Sequence, residues 1–149
     1  MHAVAPFLRP RRAALLARQD GTSAVEFAIV APVFLLLLLA IMAFGALFGT
    51  YHGLQQLVAE ATRAAVAGLD SGEREQIARG YIQRNAMLYP FIDATRLSVS
   101  TAESGPDNNT FQVSIRYDMS DSFVFRIGEM LPLPSPIIVR TAAIRRGGY

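Results

Sequence analysis

Three residues near the N-terminus have types and a spacing that could support chemistry on the chain itself: Gly21, Thr22 and Glu26. A glycine lets the backbone extend into a protease cleft because no side chain obstructs it. Hydrolysis of the Gly21–Thr22 peptide bond would give Thr22 a new α-amino group, an i, i+4 step from Glu26. That amine could neutralise Glu26 of its own helix or of an axially offset neighbour. If the chain is cut there, the residues predict an ion pair that sets the stagger between packed chains.

Glu26 calls for such a partner because it directly precedes an uncharged apolar run from Phe27 to Phe48. A helix of about 22 residues is long enough to cross a hydrocarbon core of ~30 Å. A carboxylate in that setting is strongly disfavoured when unpaired and acceptable when paired. The run is longer than the apolar segment of a cleaved secretory signal, and no small-residue cleavage site follows it. A simple uncleaved membrane anchor therefore stays open as an interpretation.

The distribution of charge predicts how this span is oriented. All 14 basic residues are arginines, and four of them precede Gly21 against a single acid, Asp20. The positive-inside rule then keeps the N-terminus in the cytoplasm and sends the C-terminal part outward. Because the basic excess belongs to this leader and not to the body of the chain, a nucleic-acid-binding surface is not expected.

The sequence lacks the residue sets that enzymes and metal sites need. Without cysteine, neither a disulfide nor a thiolate metal site can form. No phosphate-binding loop, nucleophile elbow or zinc-protease motif is present. We therefore predict no catalytic residue, no metal site and no cofactor. Calcium binding is a minor alternative, with oxygen ligands from Asp107, Asn108, Asp118 and Asp121.

The stretch from Arg18 to Phe34 resembles the N-terminal signature of TadE-like minor pilins, also called pseudopilins. These belong to the Tad machinery, which builds Flp-type type IV pili. The family pattern is a glycine before the cut, a glutamate at the fifth mature position, an aromatic residue after it, and an apolar stem with an early proline. The matching residues are Gly21, Glu26, Phe27 and Pro32. Major Flp pilins usually carry tyrosine after the glutamate and are shorter, so the minor class is favoured.

The resemblance implies that a prepilin peptidase cuts between Gly21 and Thr22, with this protein as the substrate and not an enzyme. The expected parts are a leader (1–21), a stem helix (22–69) and an exported domain (70–149). The implied partners are the peptidase, other minor and major Tad pilins, the inner-membrane assembly platform and membrane lipid. The implied role is in pilus assembly, adherence or surface attachment. The implied location is the bacterial inner membrane, crossed once, or the extracellular pilus after assembly.

The alternative is a single-pass, membrane-anchored periplasmic scaffold or binding protein that is never cleaved. Under either interpretation, Pro32 predicts a bend, which is either an ordinary one or one that lets stems pack in a filament. Tyr51 and His52 fall where an aromatic belt meets the membrane surface. Small residues spaced four apart permit close helix approach and predict a packing face on the later stem, formed by Gly45, Gly49 and Gly53.

Beyond the span, the pattern predicts an α+β fold. The stem helix continues past His52 as an amphipathic helix and stops near Gly68. A second helix follows an N-cap at Asp70–Gly72 and ends before Pro90. It covers roughly 73–88, with Ile77, Tyr81 and Leu88 on its apolar face.

Alternating residues then predict a small antiparallel sheet of about three strands. The three strand segments are 97–101, 111–118 and 137–144. A loop-forming cluster at 102–109 makes the first two a hairpin. The segment 122–131 is ambiguous between a strand and a short helix. A sheet packed on the amphipathic helix gives an α+β layer.

Overall fold

The computed structural model describes residues 17–105, 109–126 and 132–145, with side chains from Thr22 onward. Three helices and three strands make up the described fold. They are α1 (Ala17–Ala65), α2 (Ser71–Asn85), β1 (Leu97–Ser104), β2 (Thr110–Asp118), α3 (Phe123–Arg126) and β3 (Ile137–Arg145). Two short 3₁₀ turns, Ala86–Leu88 and Ala94–Arg96, connect α2 to β1. The predicted order of a long helix, a second helix and a three-stranded antiparallel sheet is confirmed.

Helix α1 includes Pro32, continues past His52, as predicted, and ends at Ala65. The turn that follows contains Gly68 and leads to Asp70, which caps α2. The Asp70 carboxylate accepts the Glu73 N–H at 2.8 Å, and the Glu73 carboxylate accepts the Leu69 N–H at 2.7 Å. Such a reciprocal cap satisfies amide groups that the first turn of a helix leaves without partners.

The buried stripe of α2 differs in part from the predicted one. Arg74, Ala78 and Ile82 are buried at i, i+4 spacing, with Ile77 and Tyr81 half-buried at its edge. The assignment of Leu88 to this face was wrong, since its side chain is 74% exposed. The physical reason is that the α-helix ends at Asn85 and tightens into a 3₁₀ turn, which shifts the following side chains away from the helical stripe.

The strands form one antiparallel sheet in the order β1-β2-β3. Val99 lies opposite Ile115 in the first pair, and Val113 lies opposite Ala142 in the second. The predicted hairpin is confirmed, and β1 runs three residues further than expected, to Ser104. Gly105 follows with a φ of +90°, a left-handed conformation that glycine adopts without steric cost.

The hydrophobic core lies between α1, α2 and one face of the sheet. Every second residue of β2 points into it, as the period of a strand requires. The buried residues of β2 are Phe111, Val113, Ile115 and Tyr117. They meet a stripe of α1 at helical spacing that includes Leu47, Leu54, Leu57, Val58 and Ala61.

The ambiguous segment after β2 forms the short helix α3, and its remaining residues, 127–131, lie outside the described part. By compactness the chain divides into two units, one up to Ile41 and one from Met42 onward. The first unit holds the earlier part of α1. The second holds the rest of α1 together with α2, α3 and the sheet.

Candidate functional site

The predicted cleavage point lies inside α1. Gly21 and Thr22 both have helical backbone, a few residues after the helix begins at Ala17. A protease cleft takes an extended backbone, so this first turn has to unwind before it can be cut. A glycine costs a helix about 1 kcal/mol relative to alanine. Gly21 therefore weakens the helix beside the predicted cleavage point.

Glu26 and Phe27 lie next to each other on α1, and both side chains are exposed. In a chain that began at Thr22, Glu26 would fall in the first turns of the helix, where the positive end of the helix dipole favours a carboxylate. The i, i+4 spacing to Thr22 is retained because the backbone is helical over both residues. The geometry of α1 is thus compatible with the predicted ion pair.

The apolar part of the first unit is almost entirely uncovered. Within Thr22–Ala65, the most apolar window of α1 is only 6% buried, and this is the described helix that is long and apolar enough to cross a membrane. A core helix of a soluble domain would bury one face. Side chains point outward around the helix and enclose a purely apolar recess of about 390 Å³ between Phe27, Val30, Phe34 and Leu35. Pro32 lies beside this recess, and its missing N–H deprives the Ala28 carbonyl of its usual helical donor.

The three stem glycines have different surroundings. Gly45 is exposed, and a Cβ added to it would meet no described atom within 4 Å. A Cβ on Gly49 would lie 2.9 Å from the ring of Phe91. A Cβ on Gly53 would lie 3.0 Å from Tyr89 and 3.1 Å from Ile92. Two of the three glycines thus make room for a segment of the same chain, while Gly45 leaves a gap open to solvent or to another helix.

At the predicted membrane belt, the guanidinium of Arg140 lies 4.5 Å from the centroid of the Tyr51 ring. This cation–π contact ties β3 to α1. His52, the next residue, is exposed. The sequence pattern placed Tyr51 and His52 correctly on α1 but gave no sign of the arginine partner, because the pairing depends on the register of β3.

A groove of about 370 Å³ in the second unit was not predicted. It lies beside Ala46 and Thr50 of α1 and has Phe91 and Phe123 on its wall. The hydroxyl of Tyr117 accepts the Asp93 backbone N–H at 3.0 Å and donates to the Phe91 carbonyl at 3.3 Å. Strand β2 thereby holds the loop that carries Phe91. The aromatic residues on either side of Pro90, Tyr89 and Phe91, and Phe123 in α3 were the available signal in the sequence.

The described residues bring together no group of three or more His, Cys, Asp or Glu side chains that could hold a metal ion. Of the four residues considered for calcium, Asp107 and Asn108 lie outside the described part of the chain. Asp118 accepts hydrogen bonds from the backbone N–H and the hydroxyl of Ser120. Asp121 lies 3.7 Å from a guanidinium nitrogen of Arg96.

Fold and site together define a class: a small α+β domain carried by one long apolar helix whose uncovered surface suits a membrane or a helix bundle. Residues 21–63 match the model of the TadE-like protein family, and over this segment the chain is similar to that family. The rest of the chain lies outside the match. None of the curated proteins matches the chain. None of the solved structures matches it either.

Proposed function

We propose that the protein is a minor pilin of a Tad-type pilus, a membrane-inserted subunit that is cut after Gly21 and takes part in assembly through its stem. The observation that carries this proposal is where the family match begins, at Gly21 itself, the residue before the predicted cut. The match ends at Arg63, two residues before the end of α1, and so covers most of the stem.

The exposure of the stem supports the same role. The apolar side chains of α1 from Phe27 to Leu39 are exposed in the single chain, except for half-buried Ala31. Contact with water would cost roughly 25 cal/mol per Å² of apolar surface, so this surface needs lipid before assembly and neighbouring stems after it. Membrane insertion followed by helix packing supplies both. The proposed partners are other pilins, the assembly platform and lipid, with a prepilin peptidase acting before them.

Cleavage is tested by intact mass and N-terminal sequencing of the chain co-produced with a prepilin peptidase. The expected product begins at Thr22, and a Gly21→Leu variant is expected to stay uncut because its side chain obstructs the cleft. A matched Gly45→Leu variant, with its bulk placed further along the helix, should still be cut. A wild-type chain that begins at Met1 beside an active peptidase would contradict the proposal and favour the uncleaved scaffold.

The role of Glu26 is tested by a double-variant comparison. If its carboxylate pairs with the amine that cleavage creates, Glu26→Gln and Gly21→Leu remove the same interaction. Each single variant is expected to insert into the membrane and to lose co-assembly with partner pilins. The double variant should be no worse than either single one. Removing the exposed acid Glu75, which pairs with Arg79 at 2.7 Å on α2, is the control and should leave assembly unchanged. If the Glu26→Gln variant assembles normally with partner pilins, the proposed role of Glu26 in setting the stagger between stems is wrong.

A further inference from the structure

Two aromatic side chains from separate segments are exposed at the same end of the second unit. Phe91, in the loop after α2, is 47% exposed, and Phe123, the first residue of α3, is 52% exposed. Both lie on the wall of the groove beside Ala46 and Thr50. Two exposed phenylalanines on the wall of one groove are a candidate interaction surface.

The positions of Phe91 and Phe123 relative to the hydrocarbon follow from the rise per residue of α1. If Glu26 marks the inner boundary of the hydrocarbon, the ~20 residues needed to cross ~30 Å end near Ala46. Val124 of α3 is buried against Ala43 and Ala46 and forms one apolar cluster with them. The ring of Phe91 lies against Gly49, which is about 5 Å further along the helix. Both aromatic residues therefore lie at the outer edge of the hydrocarbon.

From these contacts we infer that Phe91 and Phe123 insert into the outer boundary of the same bilayer that α1 crosses. The two rings then contact lipid in addition to the contact made by α1. The inference rests on the proposed membrane insertion of α1 but not on cleavage or pilus assembly. The partner is a phospholipid surface because the groove that carries both rings lies beside Ala46 and Thr50, where the apolar run of α1 ends.

Two arginines near the level of the rings along α1 and α3 fit a phospholipid headgroup layer. Arg126 is exposed in the last turn of α3, and Arg140 stacks on Tyr51, about 8 Å beyond Ala46 along the helix. Arginines at this height can reach lipid phosphates while their stems stay against apolar surface. The nearby acids Asp93 and Asp121 share one arginine, Arg96, at 3.5 and 3.7 Å, so about half of their charge is countered within the protein.

The absence of tryptophan from the chain allows a direct test. Three single-tryptophan variants of the full chain are reconstituted at low density into phosphatidylcholine–phosphatidylglycerol vesicles that contain brominated lipids. Phe123→Trp reports on α3, Phe34→Trp on the middle of the span, and Leu69→Trp on the turn between α1 and α2. Leu69 is 90% exposed and lies beyond the end of α1, far from the proposed surface. Bromine atoms quench tryptophan fluorescence on contact. Lipids brominated near the headgroup or deep in the acyl chain therefore report how deeply each tryptophan lies in the bilayer.

Phe123→Trp is expected to lose about half of its emission or more to the shallow bromines, because interfacial side chains reach ~5–10 Å into the bilayer. Phe34→Trp should respond most to the deep bromines, and Leu69→Trp to neither. Quenching of Phe34→Trp with no quenching of Phe123→Trp would overturn this inference and leave the membrane span intact. Quenching of none of the three would overturn the membrane span as well. A Phe91→Trp variant repeats the test from the second segment, and an unquenched response from it would also overturn the inference.

Discussion

The hydroxyl of Tyr81 donates a hydrogen bond of 2.8 Å to the carboxylate of Glu60, and this bond links α2 to α1. Gln56 donates a second bond to the same carboxylate at 3.0 Å. The two helices are thus joined by a polar contact on the edge of their apolar interface. Accepting a bond from Tyr81 also stabilises the ionised form of Glu60, while that bond raises the pKa of Tyr81.

The first prediction concerns this bond. Tyr81→Phe is expected to destabilise the domain by about 1 kcal/mol, since the ring stays in place and a hydrogen bond to a charged, half-buried group is lost. The measurement is denaturant unfolding of the full chain in detergent, followed by near-ultraviolet circular dichroism. Glu60→Gln and the double variant complete a cycle. Strictly additive losses would contradict a direct interaction between the two side chains.

The second prediction compares two arginines of α2. Arg74 is buried, donates to the Gly68 carbonyl at 2.9 Å and lies 3.4 Å from the Glu103 carboxylate. Arg74→Met leaves both acceptors without this donor and is expected to cost about 3 kcal/mol. Arg79 forms an exposed i, i+4 pair with Glu75, and Arg79→Met should cost about 0.5 kcal/mol or less. Similar losses in the two variants, measured by the same unfolding assay, would contradict the structural role of Arg74.

The third prediction separates the stem glycines. Gly53→Ala would bring a methyl group against Tyr89 and Ile92, and overpacking of this kind costs about 1–3 kcal/mol. Gly45→Ala meets open space and should gain up to about 1 kcal/mol from helix propensity. Thermal unfolding of both variants in detergent measures the difference. A stabilised Gly53→Ala would mean that the segment carrying Tyr89 moves away from α1 at little cost.

The fourth prediction concerns the stability of the domain at acidic pH. Hydrogen bonds from the Thr95 hydroxyl and backbone N–H lower the pKa of Asp93 below its ordinary value of 3.8. Bonds from Ser120 do the same to the pKa of Asp118. A lowered folded pKa contributes stability that is complete above the unfolded value and is lost as the pH falls through the folded value. Stability should therefore decline on acidification below about pH 4.

Asparagine at both positions keeps an acceptor for the turn and removes the titration. The double variant Asp93→Asn, Asp118→Asn is expected to show a shallower decline in midpoint temperature between neutral and acidic pH. The comparison is made at several pH values on the full chain in the same detergent. An unchanged slope would mean that other carboxylates determine the acid response.

Much of this architecture can be predicted from the sequence because the signals are local. The alternation from Phe111 to Tyr117 defines β2, and Asp70 with Glu73 marks the start of α2 through a cap that is visible in the chain. The apolar run and the change from a basic leader to a largely uncharged segment near Gly21 can be recognised without knowledge of the tertiary structure. These features depend on neighbours within one or two turns.

What the sequence does not reveal depends on contacts between distant residues. From the sequence alone, Arg74 is expected to be an exposed helix residue. It is buried because Glu103 and the Gly68 carbonyl come together around it. Arg140 meets Tyr51 only through the register of β3 on β2. The spacing of Leu88 predicts that it lies on the buried face of α2. It is exposed instead, because the α-helix ends at Asn85 and a 3₁₀ turn follows. Each of these depends on how segments pack, which no local pattern records.

The apolar stripe of α1 has a consequence for the order in which the protein is made. Leu54, Leu57 and Val58 leave the ribosome early, but their cover on β2 begins only at Thr110. Until that strand is synthesised, the stripe has no sheet to pack against, and contacts between distant segments form slowly. Translation therefore sets a minimum time during which a hydrophobic helix face is available to chaperones or to the membrane. A chain truncated before Thr110 would keep the part of that face that packs on β2 uncovered permanently.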